Sequence, residues 1–401
     1  SNAVIYWISS YVAVLPKYVR KIQIFFSIIS FVLIVLFSFG FISFTYVTIW
    51  FFIGLFITGK FLKKTEKLYA EVDNVREIFQ QYHPLLNQIE NTLFTSKILK
   101  EKQQIITSED KKAGVIFQEF ARILDTFDQR NNIVISVIGN GLFLSEIYNA
   151  SKVEKWISRY QHIVEKWFHV VAFFDAENSL ANFHFNHPKF IFPEITSEKK
   201  VISGIDLGHP LLRNENRIDN NFKINKEEFF IVTGANMAGK STFLRTVSLS
   251  IVMANCGLPV CATSFKYAPI KLITSMRTAD SLTEDESYFY SELKRLKFII
   301  DEIKETDYFI ILDEILKGTN SEDKAIGSKK FVEKLSNSKS TGIIATHDVS
   351  LCALENEFID IKNYYFDAEI VNNELYFDYT LKNGVCKNMN ASFLLEKMEI
   401  V

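Results

Sequence analysis

The chain has 401 residues and room for two or three domains; its 45 Lys and Arg against 47 Asp and Glu give a formal net charge of −2. That balance excludes a global basic field, so any contact with nucleic acid has to come from a local patch. Cys256, Cys261, Cys352 and Cys386 form no C-x-x-C pair and no cysteine–histidine cluster, which excludes a zinc module and reads as reduced, mostly buried thiols of a cytosolic domain.

Residues 1–21 open with Ser1-Asn2-Ala3, which has the look of a cleaved-tag scar and is set aside from the fold, so the native chain is expected to begin upstream of residue 4. The rest of that stretch is basic and leads into a run from Ile22 to Gly59 without Asp, Glu, Lys or Arg. Two helices of ~18 residues at ~1.5 Å rise each reach ~27 Å, close to the ~30 Å hydrocarbon core of a bilayer. Gly40 marks the turn between them. Lys17, Arg20 and Lys21 flank one side and Lys60, Lys63, Lys64 and Lys67 the other, so the positive-inside rule puts both ends in the cytoplasm. The pattern predicts a transmembrane helical hairpin over 22–62, with lipid contact through 22–59 and Trp7, Tyr46 and Trp50 at headgroup depth. The competing reading is a pair of buried helices in a soluble oligomer.

Residues 63–110 are charged and helical in pattern, a connecting arm with breaks at Pro84, Ser96 and Ser108 to Asp110. From 111 to 200 the periodicity predicts an all-α core. Ile116, Phe120, Ile123, Leu124 and Phe127 share one helix face; Ile133 to Tyr148 reads as a more buried helix, with Gly139 and Gly141 permitting close packing. Val153 to Phe185 reads as one long helix ending before His187-Pro188, whose Trp156, Tyr160, Val164, Trp167 and Phe168 belong to the core. His162, His169, His184 and His187 have no metal-ligand spacing.

Residues 201–401 carry the chemistry. The apolar strand Phe229 to Thr233 runs into Gly234-Ala235-Asn236-Met237-Ala238-Gly239-Lys240-Ser241, which fits G-x-x-x-x-G-K-[ST], and a helix from Thr242 to Ala254 follows. Strand, glycine turn and helix aim backbone N–H groups and a helix N-terminus at a polyphosphate. Lys240 is expected on the β- and γ-phosphates and Ser241 on Mg²⁺. A second strand, Tyr308 to Leu312, delivers Asp313 and Glu314 at its end: Asp313 for Mg²⁺ through water, Glu314 to orient and deprotonate an attacking water. A third, Gly342 to Thr346, ends at His347, where a γ-phosphate can be sensed. Alternating apolar residues from Tyr364 to Leu381 around Asn372-Asn373 predict a β-hairpin packed on the edge of this domain.

Together these motifs resemble the MutS mismatch-repair ATPases. Thr233 to Thr242 is similar to their T-G-P-N-M-x-G-K-S-T, and Asn236-Met237 separates it from a generic loop. Asp313-Glu314 with Gly318-Thr319 resembles D-E-x-x-x-G-T, Ala345-Thr346-His347 resembles A-T-H, and Gly208-His209-Pro210 resembles the R-H-P at the domain entry. Glu286-Ser287-Tyr288-Phe289 with Glu292 stands where the family has S-x-F-x-x-E, and the stretch from Phe174-Asp175 to Pro188 is similar to its long core helix. The resemblance covers roughly 150–401. It implies an α/β P-loop NTPase of the ABC/MutS type, hydrolysing ATP to ADP and phosphate with Mg²⁺.

It also implies residue roles. Gly234, Ala235, Asn236, Met237, Ala238, Gly239, Lys240, Ser241 and Thr242 hold nucleotide, with Ile218 to Phe222 near the adenine. Ser241 and Asp313 hold the metal; Glu314, His347 and Lys240 serve catalysis. Ser287 reaches the γ-phosphate bound by the other subunit, and Asn320 and Ser321 lie on the loop that crosses the interface, so a homodimer completes each site. Departures are Ala235 for proline, Ala238 for glycine and Lys317 for arginine; no Phe-x-Glu mismatch wedge is recognised, and the stretch ahead of the core helix is too short for a full lever and clamp. Two functions follow. One is an ATP-dependent binder of duplex DNA related to mismatch repair. The other is a membrane-anchored ATP-driven clamp or scaffold for a protein partner, its ATPase domain on the cytoplasmic face. A transporter subunit fits less well, because two spans are few for a permeation path.

Overall fold

Residues 2–16, 18–128, 133–197, 200–276, 288–316, 320–371 and 374–387 are described in a computed structural model, and they fall into two units, 1–179 and 180–401. The first is all helix. Helix α1 (Asn2–Ser10) is followed by α2 (Val19–Ser38), the turn at Gly40 (φ +76°), and α3 (Phe44–Asn91), whose N-cap Ser43 accepts from the Thr45 N–H. Residues 19–38 and 44–72 are each long and apolar enough to cross a membrane, and little of either is buried. Trp50 lies between the two helices, stacked on Phe26 and donating to Ser30 Oγ at 2.8 Å, while Trp7 donates to Glu71 at 3.0 Å; both indoles are engaged within the protein.

Helix α3 does not stop at residue 62, where the sequence predicts a change from hairpin to arm. It passes through the lysine cluster and through Pro84 to Asn91. A proline inside a helix removes one backbone bond and crowds the preceding turn. Here the helix continues through the defect, with fully buried Phe79 and Leu86 on either side of it. Helices α4 (Lys97–Thr107) and α5 (Ala113–Asp128) follow the expected breaks, with Ile116, Phe120 and Leu124 buried. Phe79 sits at the centre of the helical core, its ring centroid 4.7 Å from those of Phe117 and Phe120 and 5.5 Å from that of Trp156.

Two expectations fail in this unit. The predicted buried helix from Ile133 to Tyr148 is instead α6 (Ile133–Phe143), largely exposed, and α7 (Ser145–Tyr160), bent by 84° across Leu144. The break is chemical: Leu144 turns left-handed (φ +52°), and Asn140 Oδ1 accepts from Ser145 Oγ and the Glu146 N–H, capping the new helix. The predicted single helix Val153–Phe185 is also two, since α8 (Val164–Asn186) starts after a turn tightened by the bond from Ile163 N–H to the Tyr160 carbonyl. That turn keeps Tyr160, Val164 and Trp167 all in the core.

The second unit is mixed α/β. In chain order it contains β1 (Glu194–Ile195), β2 (Lys200–Leu207), β3 (Asn220–Asn225), β4 (Phe229–Gly234), α9 (Lys240–Asn255), β5 (Ser264–Tyr267), β6 (Lys271–Ser275), α10 (Tyr288–Glu302), β7 (Tyr308–Asp313), α11 (Ser321–Ser336), β8 (Thr341–Ala345), a 3₁₀ segment Val349–Asn356, β9 (Ile361–Phe366), β10 (Glu369–Val371), β11 (Glu374–Tyr376) and β12 (Leu381–Asn383). One sheet has the order β1-β5-β2-β3, and the main sheet the order β12-β9-β4-β8-β7-β6. In the main sheet β9, β4, β8, β7 and β6 run parallel and β12 closes the edge antiparallel. Strands β4 and β8 are buried at every position, as unbroken apolar runs between two layers must be.

The stretch 364–381 is more than the predicted hairpin. Tyr364 to Phe366 belong to β9, only 369–376 form the hairpin (Val371 opposite Glu374), and Leu381 pairs into the main sheet. All four cysteines are free thiols, and only Cys256 is exposed.

Candidate functional site

The carboxyl ends of β4, β7 and β8 lie side by side in the parallel sheet, so whatever follows each strand converges at one edge. After β4 the chain turns at Gly234 (φ +148°), where a Cβ would stand 2.6 Å from the Phe366 carbonyl oxygen, and again at Gly239 (φ +106°), where one would stand 3.1 Å from the Tyr379 ring. Both positions require glycine. Met237 also has positive φ (+64°), which bows the loop outward. Helix α9 begins at Lys240, and the N–H groups of a helix's first turn point out of its end with a partial positive charge.

Lys240 is buried, and its Nζ donates to the carbonyls of Gly234 (2.7 Å) and Ala235 (2.9 Å). Ser241 Oγ donates to Asp313 Oδ2 at 2.8 Å, joining the loop to the end of β7. Glu314 is left-handed (φ +56°), with its N–H bonded to the Ala345 carbonyl of β8. That strained position turns its carboxylate to His347, whose Nε2 lies 2.9 Å from Glu314 Oε1 and 3.3 Å from Lys240 Nζ. One ring nitrogen thus faces an anion and a cation: it donates to Glu314 or accepts from Lys240, one at a time.

A cavity of about 420 Å³ opens over this cluster. The whole loop 235–242 lines it, with Asp313, Glu314 and His347 on one side. Ile218 and Asn220, on the segment expected near a base, form the other wall, together with His209 of the predicted Gly208-His209-Pro210 entry. Burial, and then nearby Arg245, hold the His209 imidazole below its ordinary pKa. Gly234 borders the cluster through its carbonyl.

One described residue of the predicted set is not brought there. Asn320 is the N-cap of α11, accepting from the Asp323 N–H at 2.9 Å, and it does not line the cavity of its own chain. Ser287, with Glu286 before it, and Lys317-Gly318-Thr319 lie outside the described residues. Glu292 is described: its Oε1 accepts from the Leu316 N–H at 2.6 Å and ties α10 to the turn after Asp313-Glu314.

Sequence reasoning missed Tyr379. It lines the cavity beside Gly239 of the loop, held by buried Asn220, which donates to the Tyr379 carbonyl (3.0 Å) and accepts from the Leu381 N–H (2.7 Å). No local signal marks it, because it lies 159 positions from Asn220 and follows an irregular segment. Among the described residues no group of three or more His, Cys, Asp and Glu forms a metal cluster. A hydroxyl and a carboxylate 2.8 Å apart are nevertheless the oxygen donors that Mg²⁺ takes when phosphates complete its shell.

The chain is similar in sequence to known proteins. Residues 230–396 match the family model MutS domain V. Over 213 residues the chain is 29% identical to MutS protein homolog 4 of Mus musculus, covering 50% of this chain and 22% of that protein. It is 33% identical over 209 residues to DNA mismatch repair protein MutS of Aquifex pyrophilus, 49% of this chain and 24% of the relative. A longer match, 298 residues at 28%, is to DNA mismatch repair protein MutS of Methanosarcina barkeri (strain Fusaro / DSM 804), 71% of this chain and 29% of the relative. The chain therefore spans 22–29% of the length of these relatives. The chain is thus similar to MutS-family proteins, and residues 230–396 carry the match to MutS domain V.

Proposed function

We propose that this chain binds ATP with Mg²⁺, hydrolyses it to ADP and phosphate, and uses the cycle to open and close a homodimer. The observation that carries the reading is the convergence of Lys240, Ser241, Asp313, Glu314 and His347 at one sheet edge under a single cavity. Loop 234–242 wraps the phosphates with its N–H groups, and Lys240 exchanges its two carbonyl partners for phosphate oxygens. Ser241 and Asp313 hold Mg²⁺, which neutralises charge on the phosphate oxygens. Glu314 takes the proton of the attacking water, and His347 orients its carboxylate. By the family resemblance, Ser287 and the Asn320 loop serve the partner copy's nucleotide; the exposure of Asn320 away from its own cavity supports that role.

The relatives are named as mismatch-repair proteins, which supports a repair-related role with duplex DNA as a ligand. The outward apolar faces of α2 and of the first half of α3 favour the second form of the reading, an ATP-driven clamp or scaffold anchored in a bilayer with its ATPase on the cytoplasmic side. Two measurements test these readings. Purified full chain should release phosphate from ATP in a Mg²⁺-dependent way and lose that activity in Lys240→Ala. Affinity for matched and mismatched duplex, measured against salt, separates the two forms: DNA binding falls steeply with salt through counterion release, and no binding at low salt removes DNA as a ligand.

A further inference from the structure

Helix α6 is, with α1, one of the two uncharged helices of its unit. It carries no Asp, Glu, Lys or Arg, and none occurs between Ile133 and Ser145. Ile133 is 77% exposed, Val134 67% and Ile138 51%. In water a side of this kind on an 11-residue helix is costly, at roughly 25 cal/mol for each Å² of apolar surface. Its C-terminal end is packed closely on the apolar half of α3: a Cβ on Gly54 would collide with the Gly141 carbonyl, and one on Gly141 with the Phe51 ring. Gly54 stands six residues before Lys60, about 9 Å along the helix, so α6 touches α3 within the stretch free of charge.

The end of α6 shows how its backbone survives there. Terminal helix carbonyls lack partners inside the helix, and hydrocarbon supplies none. The Phe143 carbonyl receives Gln23 Nε2 at 3.3 Å and Ser27 Oγ at 3.2 Å, both from α2. Asn140 satisfies the break that follows, and the first acid beyond it, Glu146, is buried and accepts from Thr65 Oγ1 of α3 at 2.6 Å. Gln23 lies three residues, about 5 Å, from Arg20. The polar partners of α6 are thus built at the shallow end of the span. At 11 residues, or ~16 Å, α6 is too short to cross.

We propose that α6 is a third, half-inserted membrane element, seated in the leaflet beside Arg20 and Lys60, with Ile133, Val134 and Ile138 of its exposed N-terminal part against acyl chains. This rests on the bilayer reading of α2 and α3. It adds that the 84° bend at Leu144 is the point where the chain leaves the lipid.

The test uses nitroxide labels on the full chain in phosphatidylethanolamine–phosphatidylglycerol vesicles. Exposed Cys256 is first replaced by serine. Labels are placed at Val134→Cys or Ile138→Cys on α6, and at Phe31→Cys and Phe52→Cys on the two long helices. Oxygen reports lipid and a nickel chelate reports water. The expected result is oxygen collision above nickel collision at all four sites. Nickel above oxygen on α6 alone overturns the proposal and leaves the anchor standing. Low collision with both reagents on α6 means a second copy of the chain or another protein covers it, and also overturns it. Nickel above oxygen at Phe31 and Phe52 as well overturns the anchor and this inference together.

Discussion

Asn220→Ala is the most informative single change. The side chain is buried and joins β3 to the Tyr379–Leu381 segment through one donated and one accepted bond, at 3.0 and 2.7 Å. Alanine removes both bonds and leaves the Tyr379 carbonyl and the Leu381 N–H without these partners. Two neutral hydrogen bonds at ~1 kcal/mol each, with some cost for unpaired groups, come to about 2–3 kcal/mol. The loss falls on a segment that already contains a left-handed residue, Tyr379 (φ +52°), at the edge of the sheet. Strand β12 should then detach more often and take the Tyr379 wall of the cavity with it. If nucleotide needs that wall, about 2 kcal/mol corresponds to roughly 30-fold in Kd. Titration with a fluorescent ATP analogue, beside hydrogen exchange at 379–383, measures both quantities. Ten- to 30-fold weaker binding with faster exchange at Leu381 is expected. Faster exchange with unchanged affinity would refute the link from clamp to cavity, and unchanged exchange would refute the hydrogen-bond reasoning itself.

Lys240→Ala should weaken nucleotide binding by about 10- to 100-fold, since hydrogen bonds to a charged group contribute ~1.5–3 kcal/mol; calorimetric titration reads it. Glu314→Gln should keep binding but slow hydrolysis by ~10²–10⁴, and a wild-type rate in single-turnover phosphate release would remove Glu314 as the base. Phe79→Ala should cost the helical unit about 3–5 kcal/mol, seen as a lower urea midpoint, because four rings close on that site. The lowered pKa of His209 sets a pH slope. The unfolded imidazole titrates near its ordinary value of about 6.5, so it binds more protons than the folded one just below that pH. Stability should therefore be full above about pH 6.5 and fall as pH drops toward the folded pKa, and His209→Gln should flatten this slope in urea titrations.

What was legible in the sequence was local. Gly234 to Ser241 and Asp313-Glu314 are contiguous runs at strand ends, so composition and spacing carry them. The ring core was legible too, because Phe120 stands at helical spacing from Ile116 and Leu124, and Trp156 from Tyr160. Three things were not. Pro84 reads as a break, yet the helix continues through it between fully buried neighbours. Leu144 reads as one more apolar helical residue, and only the contacts of Asn140 with Ser145 and Glu146 reveal why the chain turns there. Tyr379 reaches the cavity through a partner far away in sequence, which no period can encode.

Helix α3 has one more consequence. Its 48 residues make an unbroken shaft of about 72 Å, anchored by Phe79 and Leu86 toward one end and apolar toward the other. Length magnifies angle: a tilt of about 5° at one end of a straight helix displaces the other by about 6 Å over that length. Small repacking around Phe79 is thereby magnified at Phe44. Glycine pairs inserted near Lys67 would weaken the coupling between the two ends without touching either.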